Sequence, residues 1–553
     1  MRFALVAALA ALAPAALGPA AAQTISTGSG TVEGLPLGAR NGVTTLEVAD
    51  GRLFVGPRLL VVEPSGATDF LADDGAFDPP TAPETRVFSL DALPGGRIVV
   101  GLGFTDENAD AEEPVPTAAG FAVSDDGGAT WRYRSAPLDA ASTETVQYGV
   151  STLAAVPIFA PGDSPPYGVA ADPATGALYS ANAFAGLRSS VDEGVTWQRV
   201  VLPPDTARTI SPDFTYGFPY APAGTCIDQC GTSAPVISQF GFNFVAYSVL
   251  VDEAGDVWAG TLAGLNRSSD LDPATGDGSW VRYETDIVRP SPVGGFCIDV
   301  EARPIADARD EVWAACWPSG RSPDLAPNAA DERFGISAWR GDDVDGEPIF
   351  ETLLLGQRVY DLAFDGETAY AAGQNGLFTS TDGGAEWVVT RVFRGEDGRP
   401  LALRPGTRVF SVAVTDGANA ALWVGTGDGL LKSTNGGVTW TLFRAAVPTD
   451  PATPSDETPT VEAYAYPNPF SPRSDRLVRV RVDLDEASDV RLRILDFAMN
   501  TVRDINAGSR PAGANEILWE GTADDGTRIA NGTYLYVVTA GGQTLTGKIL
   551  VLD

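Results

Sequence analysis

Along most of the chain, apolar and polar residues alternate in short runs, and clusters of Gly, Pro, Asn or Asp interrupt the runs every few residues. Alternation with a period of two sends successive side chains to opposite faces of a strand, so the pattern predicts half-buried β-strands joined by tight turns. The runs also repeat. Residues 358–392 and 408–444 share one unit: an alternating strand, a short turn, a second strand in which a bulky residue is followed two places later by a small one, a third strand, a glycine turn and a fourth strand. The second strand can be followed through the chain as Phe54 with Gly56, Val99 with Gly101, Tyr179 with Ala181, Trp258 with Gly260, Trp313 with Ala315, Tyr370 with Ala372 and Trp423 with Gly425. Seven four-stranded units predict an all-β fold, a seven-bladed β-propeller, and the bulky and small side chains sharing one strand face suit a tapered ring of sheets.

The turn between third and fourth strands has its own signature. It reads SDDGGATW (Ser124, Asp126, Gly128, Trp131), SVDEGVTW (Ser190, Asp192, Gly194, Trp197), STDGGAEW (Ser380, Asp382, Gly384, Trp387) and STNGGVTW (Ser433, Asn435, Gly437, Trp440). Ser and Asp or Asn bond the turn backbone, Gly supplies positive φ, and Trp anchors the following strand. The segments resemble the Asp-box of sialidase-type repeat propellers. That resemblance implies the fold; the box staples a hairpin in enzymes and non-enzymes alike. The fourth unit stretches the turn to SSDLDPATGDGSW, and the first and fifth lack the box.

After a Pro-, Thr- and Asp-rich stretch expected to be an extended linker (446–460), a new module runs from 461 to 553. It carries Y-P-N-P-F at Tyr466–Phe470 and N-G-T-Y-x-Y at Asn531–Tyr536. These hallmarks resemble the C-terminal sorting modules of type IX secretion cargo and the related flagellar-hook-cap-like Ig-like domains. The resemblance implies a small β-sandwich that addresses the chain to an outer-membrane exporter. The other end agrees with export: Arg2, an apolar run from Phe3 to Leu17 and Ala20–Ala22 before Gln23 read as a signal peptide over residues 1–22, leaving 23–445 for the propeller. No later apolar run is long enough to span a bilayer as a helix.

Composition narrows the chemistry. A net charge of −35 excludes nucleic acid and anionic membranes as partners, because phosphate binding needs clustered Lys and Arg. The chain contains no His, which removes Ser–His and Cys–His nucleophile pairs and the commonest zinc ligand. Neither a cofactor nor a metal site is expected. Asp343, Asp345 and Glu347 supply oxygens suited to calcium but do not fit the twelve-residue calcium loop. Four Cys in an exported chain predict disulfides, with Cys226–Cys230 and Cys297–Cys316 the preferred pairs.

Ligand recognition is expected on one rim of the ring. Strand parity puts second-to-third turns and interblade links on the face opposite the Asp-boxes, and the insertions at 104–119, 136–165, 203–244 and 318–334 all leave from that face. The longest is aromatic, with Phe214, Tyr216, Phe218, Tyr220, Phe240, Phe242 and Phe244. At the same rim, Arg86, Arg358 and Arg408 each open a first strand with R-V-[FY]-[SD]-[LV] and are expected to form an anion site at the channel mouth. Sialidases hold their substrate carboxylate with three arginines, but their N-terminal arginine motif and Tyr–Glu pair have no match here. Arg303–Pro304 resembles that motif, yet parity places Arg303 on the Asp-box face. The expectation is therefore a secreted or surface-exposed, non-catalytic binding or scaffold protein for an extracellular glycan or protein, exported through residues 461–553. The alternatives are a glycosidase using carboxylates or Tyr, and a surface-layer or adhesion component.

Overall fold

A computed structural model of the chain describes residues 43–552 apart from 57–59, 64–67, 71–84, 107–114, 229–235, 240, 287–288, 307, 321–331, 399, 402, 404–405, 418–419, 444–462, 467 and 473–476. The expected signal peptide, the linker, Cys230 and Phe240 lie outside the described residues.

Seven antiparallel sheets follow one another, each in simple up-and-down order: residues 46–70, 86–134, 168–199, 246–283, 296–353, 359–390 and 409–443. They form the seven blades, and the bulky residue of every second strand is buried, from Trp258 and Trp313 at 0% exposure to Tyr370 at 6%. The ring closes by packing. Val43, Leu46, Leu53 and Val55 of the first blade share a cluster with Trp423, Leu430 and Phe443 of the seventh, and Val43 N–H donates to the Thr426 carbonyl at 2.9 Å.

The small partner of each bulky residue has a steric cause. Ser89, Ser248 and Ser411 on the first strands pair with Gly101, Gly260 and Gly425, whereas the larger Asp299 and Asp361 pair with Ala315 and Ala372. A Cβ on Gly260 would lie 2.2 Å from Ser248 Oγ and 2.4 Å from the Cys297 carbonyl oxygen of the next blade. Close backbone approach between blades therefore excludes a side chain at that position.

The four turns that resemble Asp-boxes are stapled through bonds spanning at most four residues. Ser124 Oγ accepts from Gly128 N–H (2.9 Å), and Asp126 accepts from Thr130 N–H (2.8 Å) and Thr130 Oγ1 (2.6 Å). Asn435 preserves the pattern, taking Thr439 N–H at 2.9 Å and donating to Thr439 Oγ1 at 2.8 Å. Glu386, in the place of Thr, keeps the backbone bond to Asp382 at 3.0 Å. In the stretched fourth-blade turn Asp270 still accepts from Ser279 N–H at 2.6 Å, because Asp272 and Asp277 pair and loop the extra residues out.

Two expectations need correction. Cys297 and Cys316 are cross-strand partners with sulfurs 2.7 Å apart, but both are free thiols, fully buried beside a bulge, and burial pushes the Cys297 thiol well up so that it stays protonated. Cys226, by contrast, is disulfide-bonded. The insertions also do not stay on the rim they leave. The described residues of the 136–165 and 203–244 segments run down the outside of blades three and four as far as the third-to-fourth turn of blade four. Tyr148 Oη donates to the Gly278 carbonyl (2.8 Å), Gly149 N–H to Asp277 (2.9 Å), and Thr209–Ile210 adds a fifth strand to the outer edge of blade four. Parity dictates where a loop departs; the apolar outer edge that buries Val146, Tyr148, Leu153 and Tyr220 decides where it goes.

The C-terminal module packs a three-stranded sheet (463–466, 478–484, 513–519) on a four-stranded one (501–510, 488–495, 532–540, 543–551). Its hallmark residues fill the sandwich: Phe470 is fully buried against Trp519, and Tyr536 is buried with its hydroxyl donating to the Ala463 carbonyl at 2.9 Å. Arg479 of this module forms a buried ion pair with Asp428, which lies in the second-to-third turn of blade seven, and the Arg479 guanidinium also lies over Tyr466. The module thus sits against the rim opposite the Asp-boxes. Asp428→Ala is expected to release it, because it removes the buried ion pair that ties the module to blade seven and leaves Arg479 only Glu516 of its own module, at 3.8 Å, and small-angle scattering should then show a larger radius of gyration.

Candidate functional site

Five of the seven first strands carry a β-bulge at the same level, between Val87 and Ser89, Ala246 and Ser248, Cys297 and Asp299, Val359 and Asp361, and Val409 and Ser411. A bulge expels one residue from the ladder and turns its side chain aside. Four of the five expelled residues are aromatic: Phe88, Tyr247, Tyr360 and Phe410. With Tyr167, Phe296 and Trp317 they make an unbroken chain of rings from blade two to blade seven, the successive centroids 6.1, 5.4, 4.5, 5.8, 5.6 and 5.3 Å apart. For Phe88, Tyr360 and Phe410 the signal was present in the sequence as the third letter of R-V-[FY]-[SD]-[LV], the motif used there only for its arginines; Tyr247 stands in V-A-Y-S-V, outside it.

Of those arginines, Arg358 and Arg408 meet. Both act electrostatically on the Tyr360 hydroxyl, opposing the burial that raises its pKa, and Arg358 lies 4.9 Å from the Trp317 ring and 4.5 Å from that of Phe334. Arg86 is buried on blade two, with blade one between it and Arg408. The structure therefore brings two of the three to the Tyr360 hydroxyl, and of these Arg358 is stacked on rings. Arg303 lies on the Asp-box face as expected, paired with Glu311 at 3.0 Å and stacked on Trp313.

Along the first strands lies a set of acids the sequence reading did not single out. Asp299 and Asp361 occupy the bulge level on adjacent blades. Glu47, Asp91 and Glu301 each stand opposite the bulky second-strand residue, Phe54, Val99 and Trp313. Several bridge neighbouring blades: Asp91 Oδ2 accepts from Ala171 N–H at 2.6 Å, and Asp361 Oδ2 from Val412 N–H at 2.8 Å. Burial raises all five pKa values, Asp91 to about 6 and Asp361 to about 7, and the charges that further raise Glu47, Asp299 and Glu301 are other carboxylates of the set. Asp343, by contrast, caps its own turn by accepting from Asp345 and Glu347 N–H at 2.8 and 3.0 Å.

The aromatic insertion divides. Tyr220, Phe242 and Phe244 are buried, and Tyr216 and Phe218 are half-buried on the same outer-edge cluster. Among the described candidate ring residues Phe214 alone is exposed, at 65%. It stands at a cavity of about 430 Å³ lined also by Tyr216, Ser211, Arg267, Ser279 and Trp280. Trp280 is 1% exposed and its indole N–H has no hydrogen-bond partner. Among the described residues no carboxylate lines this cavity.

A two-sheet sandwich with Phe470 and Tyr536 at its centre invites comparison with known modules. Residues 471–543 match the family model of the FlgD Ig-like domain. FlgD of P. aeruginosa is 24% identical over 13% of this chain and 60% of that chain, with a TM-score of 0.12. No protein of curated function matches the sequence. Among solved structures, PorZ, a surface component of the type-IX secretion system of Porphyromonas gingivalis, is 15% identical over 92% of this chain and 70% of that chain, with a TM-score of 0.37. A GH74 enzyme of Niastella koreensis is 13% identical over 94% of this chain and 74% of that chain, with a TM-score of 0.46. Among the described residues no helix is long and apolar enough to cross a membrane.

Proposed function

We propose that the protein is a non-catalytic binding propeller that works outside the cell, reaches the surface by a type IX-like route through its FlgD-type Ig-like module, and holds an extracellular glycan or protein at the side cavity on blade four. The observation that carries this reading is the cavity itself. The 203–244 insertion lies along the outer edge of blade four and with it builds a concave site with an exposed aromatic, a half-buried aromatic, hydroxyls and Arg267 of the blade, which is held by Asp256 and Asp342. Aromatic faces and convergent polar groups are the chemistry of sugar-ring and side-chain recognition. The buried hallmark tyrosines and Phe470 belong to the folding of the module, so an exporter would read its exposed surface.

Screening the mature protein against glycan and surface-protein arrays is expected to give selective hits. Phe214→Ala should weaken them about tenfold, the effect of losing an aromatic contact of ~1.4 kcal/mol. Unchanged binding in that variant, or arrays at background, would remove the cavity as the recognition site. Fusing residues 461–553 to a reporter tests the export half separately; retention of the reporter in the periplasm counts against it.

A further inference from the structure

We propose that the side cavity on blade four takes a short, uncharged oligosaccharide, with one pyranose ring stacked on Phe214 and its oxygens accepting hydrogen bonds from Tyr216 and Trp280. The inference rests on the cavity being the recognition site and adds the chemical class of the ligand.

The wall supplies two donors whose positions the fold fixes. Trp280 lines the cavity at 1% exposure, and its indole N–H, a group that can only donate, has no hydrogen-bond partner. A buried donor in that state is costly, so an acceptor brought by a ligand gains what the protein alone forgoes. The stretched turn is the cause. In the Asp-box turns of blades six and seven the corresponding indoles of Trp387 and Trp440 donate to the carbonyls of Gly384 and Gly437, both at 2.9 Å. Three residues before Trp280 the glycine's place is taken by Asp277, whose carbonyl accepts instead from Asp272 N–H at 2.8 Å. Tyr216 is the second donor: its hydroxyl oxygen accepts from Ser211 N–H at 3.0 Å, which orients the group and leaves its proton to donate.

The wall has little charge to offer a ligand. Arg267 is the charged side chain among its described residues, and Asp256 at 2.6 Å and Asp342 at 2.9 Å compensate it. The net charge of −35 further repels anions on approach. Phe214, 65% exposed, presents an open ring face. A pyranose matches all three features at once, with an apolar C–H face for the ring, acceptor oxygens along its edge and no charge. A peptide brings one N–H donor for each carbonyl, a poorer match to a wall whose two fixed groups both donate. The volume of about 430 Å³ lies toward the lower end of the ~300–1,000 Å³ of small-ligand sites, which suits a short oligosaccharide.

The test is an NMR titration of the full-length protein carrying ¹⁵N-labelled tryptophan. Cellotetraose, mannotetraose and tetra-N-acetylchitotetraose are the neutral probes, and tetragalacturonate is the charged comparison. At least one neutral probe is expected to saturate below about 10 mM and to move the Trp280 indole N–H resonance downfield, while tetragalacturonate leaves it in place. The resonance is identified by its loss in Trp280→Phe. That variant should weaken the bound neutral probe about fivefold to tenfold, the effect of one hydrogen bond, and Tyr216→Phe should do the same. Tyr216→Phe removes a single oxygen and answers the question should Trp280→Phe not fold. A neutral probe that leaves the Trp280 resonance in place, or that Tyr216→Phe binds as tightly as before, overturns the proposal. So does saturation by tetragalacturonate alone or by none of the probes. The cavity reading fails separately: a protein or charged glycan whose binding Phe214→Ala weakens refutes the sugar class and keeps the cavity, whereas a neutral probe bound equally well by Phe214→Ala refutes both.

Discussion

Trp258→Ala is expected to destabilise the propeller by ~3–5 kcal/mol, the usual cost of truncating a buried Trp. The side chain is fully buried at the junction of blades four and five. Its ring lies 4.9 Å from that of Trp339 and 6.2 Å from that of Tyr283, and the Arg267 guanidinium lies 5.4 Å from it. Its indole N–H donates to Asp252 at 3.0 Å. Alanine removes the ring and leaves a cavity between two blades that cannot collapse without shifting the inner strands. Thermal or urea unfolding of the variant measures the loss. Val438→Ala, at a residue 73% exposed in an Asp-box turn, should change stability by less than ~0.5 kcal/mol. Comparable values for the two would show that the interblade aromatics do not carry the ring.

The second large effect is on pH. Asp91 and Asp361 have folded-state pKa values of about 6 and about 7 against an ordinary value of 3.8. The folded protein therefore holds protons that the unfolded chain has released. Their contribution to stability is fully present below pH 4 and is lost as the pH rises through 6 and 7. The protein is expected to lose ~2–4 kcal/mol between pH 5 and pH 8, less than the two sites would give separately because Glu47, Asp299 and Glu301 titrate with them. Asp361→Asn keeps an oxygen acceptor for the backbone and should flatten the profile. At the acid end the sign reverses. Asp139, held low by Arg188 and Arg199 although burial opposes them, and Asp126 and Asp192 of the Asp-boxes contribute stability that disappears as they protonate below pH 4. Calorimetry from pH 4 to pH 8 should show a maximum near pH 5; a profile that climbs steadily to pH 8 would contradict the buried acid set.

Much of this molecule was readable from its residues, and the readable part is local. Alternation, turn residues and the bulky–small pairs are set within a single strand or hairpin. The Asp-box bonds join residues no more than four apart, so Asn435 and Glu386 could be judged in place from the motif. The blade count followed from repetition alone. Phe470, Tyr534 and Tyr536 marked the C-terminal sandwich because each hallmark supplies part of its core.

Other features depended on contacts between residues distant in the chain. A bulge shifts register by one residue with no composition cue, yet it turned Phe88, Tyr247, Tyr360 and Phe410 into one aromatic layer and set Asp299 level with Asp361. The sequence reading brought Arg86, Arg358 and Arg408 together because their motifs repeat; ring closure separates the first from the other two by a whole blade. The insertions left the expected rim, and the burial of Tyr148 and Tyr220 against blades three and four drew them to the other end of the ring, where Phe214 stands at the cavity. Local chemistry specifies a strand and its turns, whereas the meeting of Glu47, Asp91, Asp299, Glu301 and Asp361 exists only once seven sheets close around one axis.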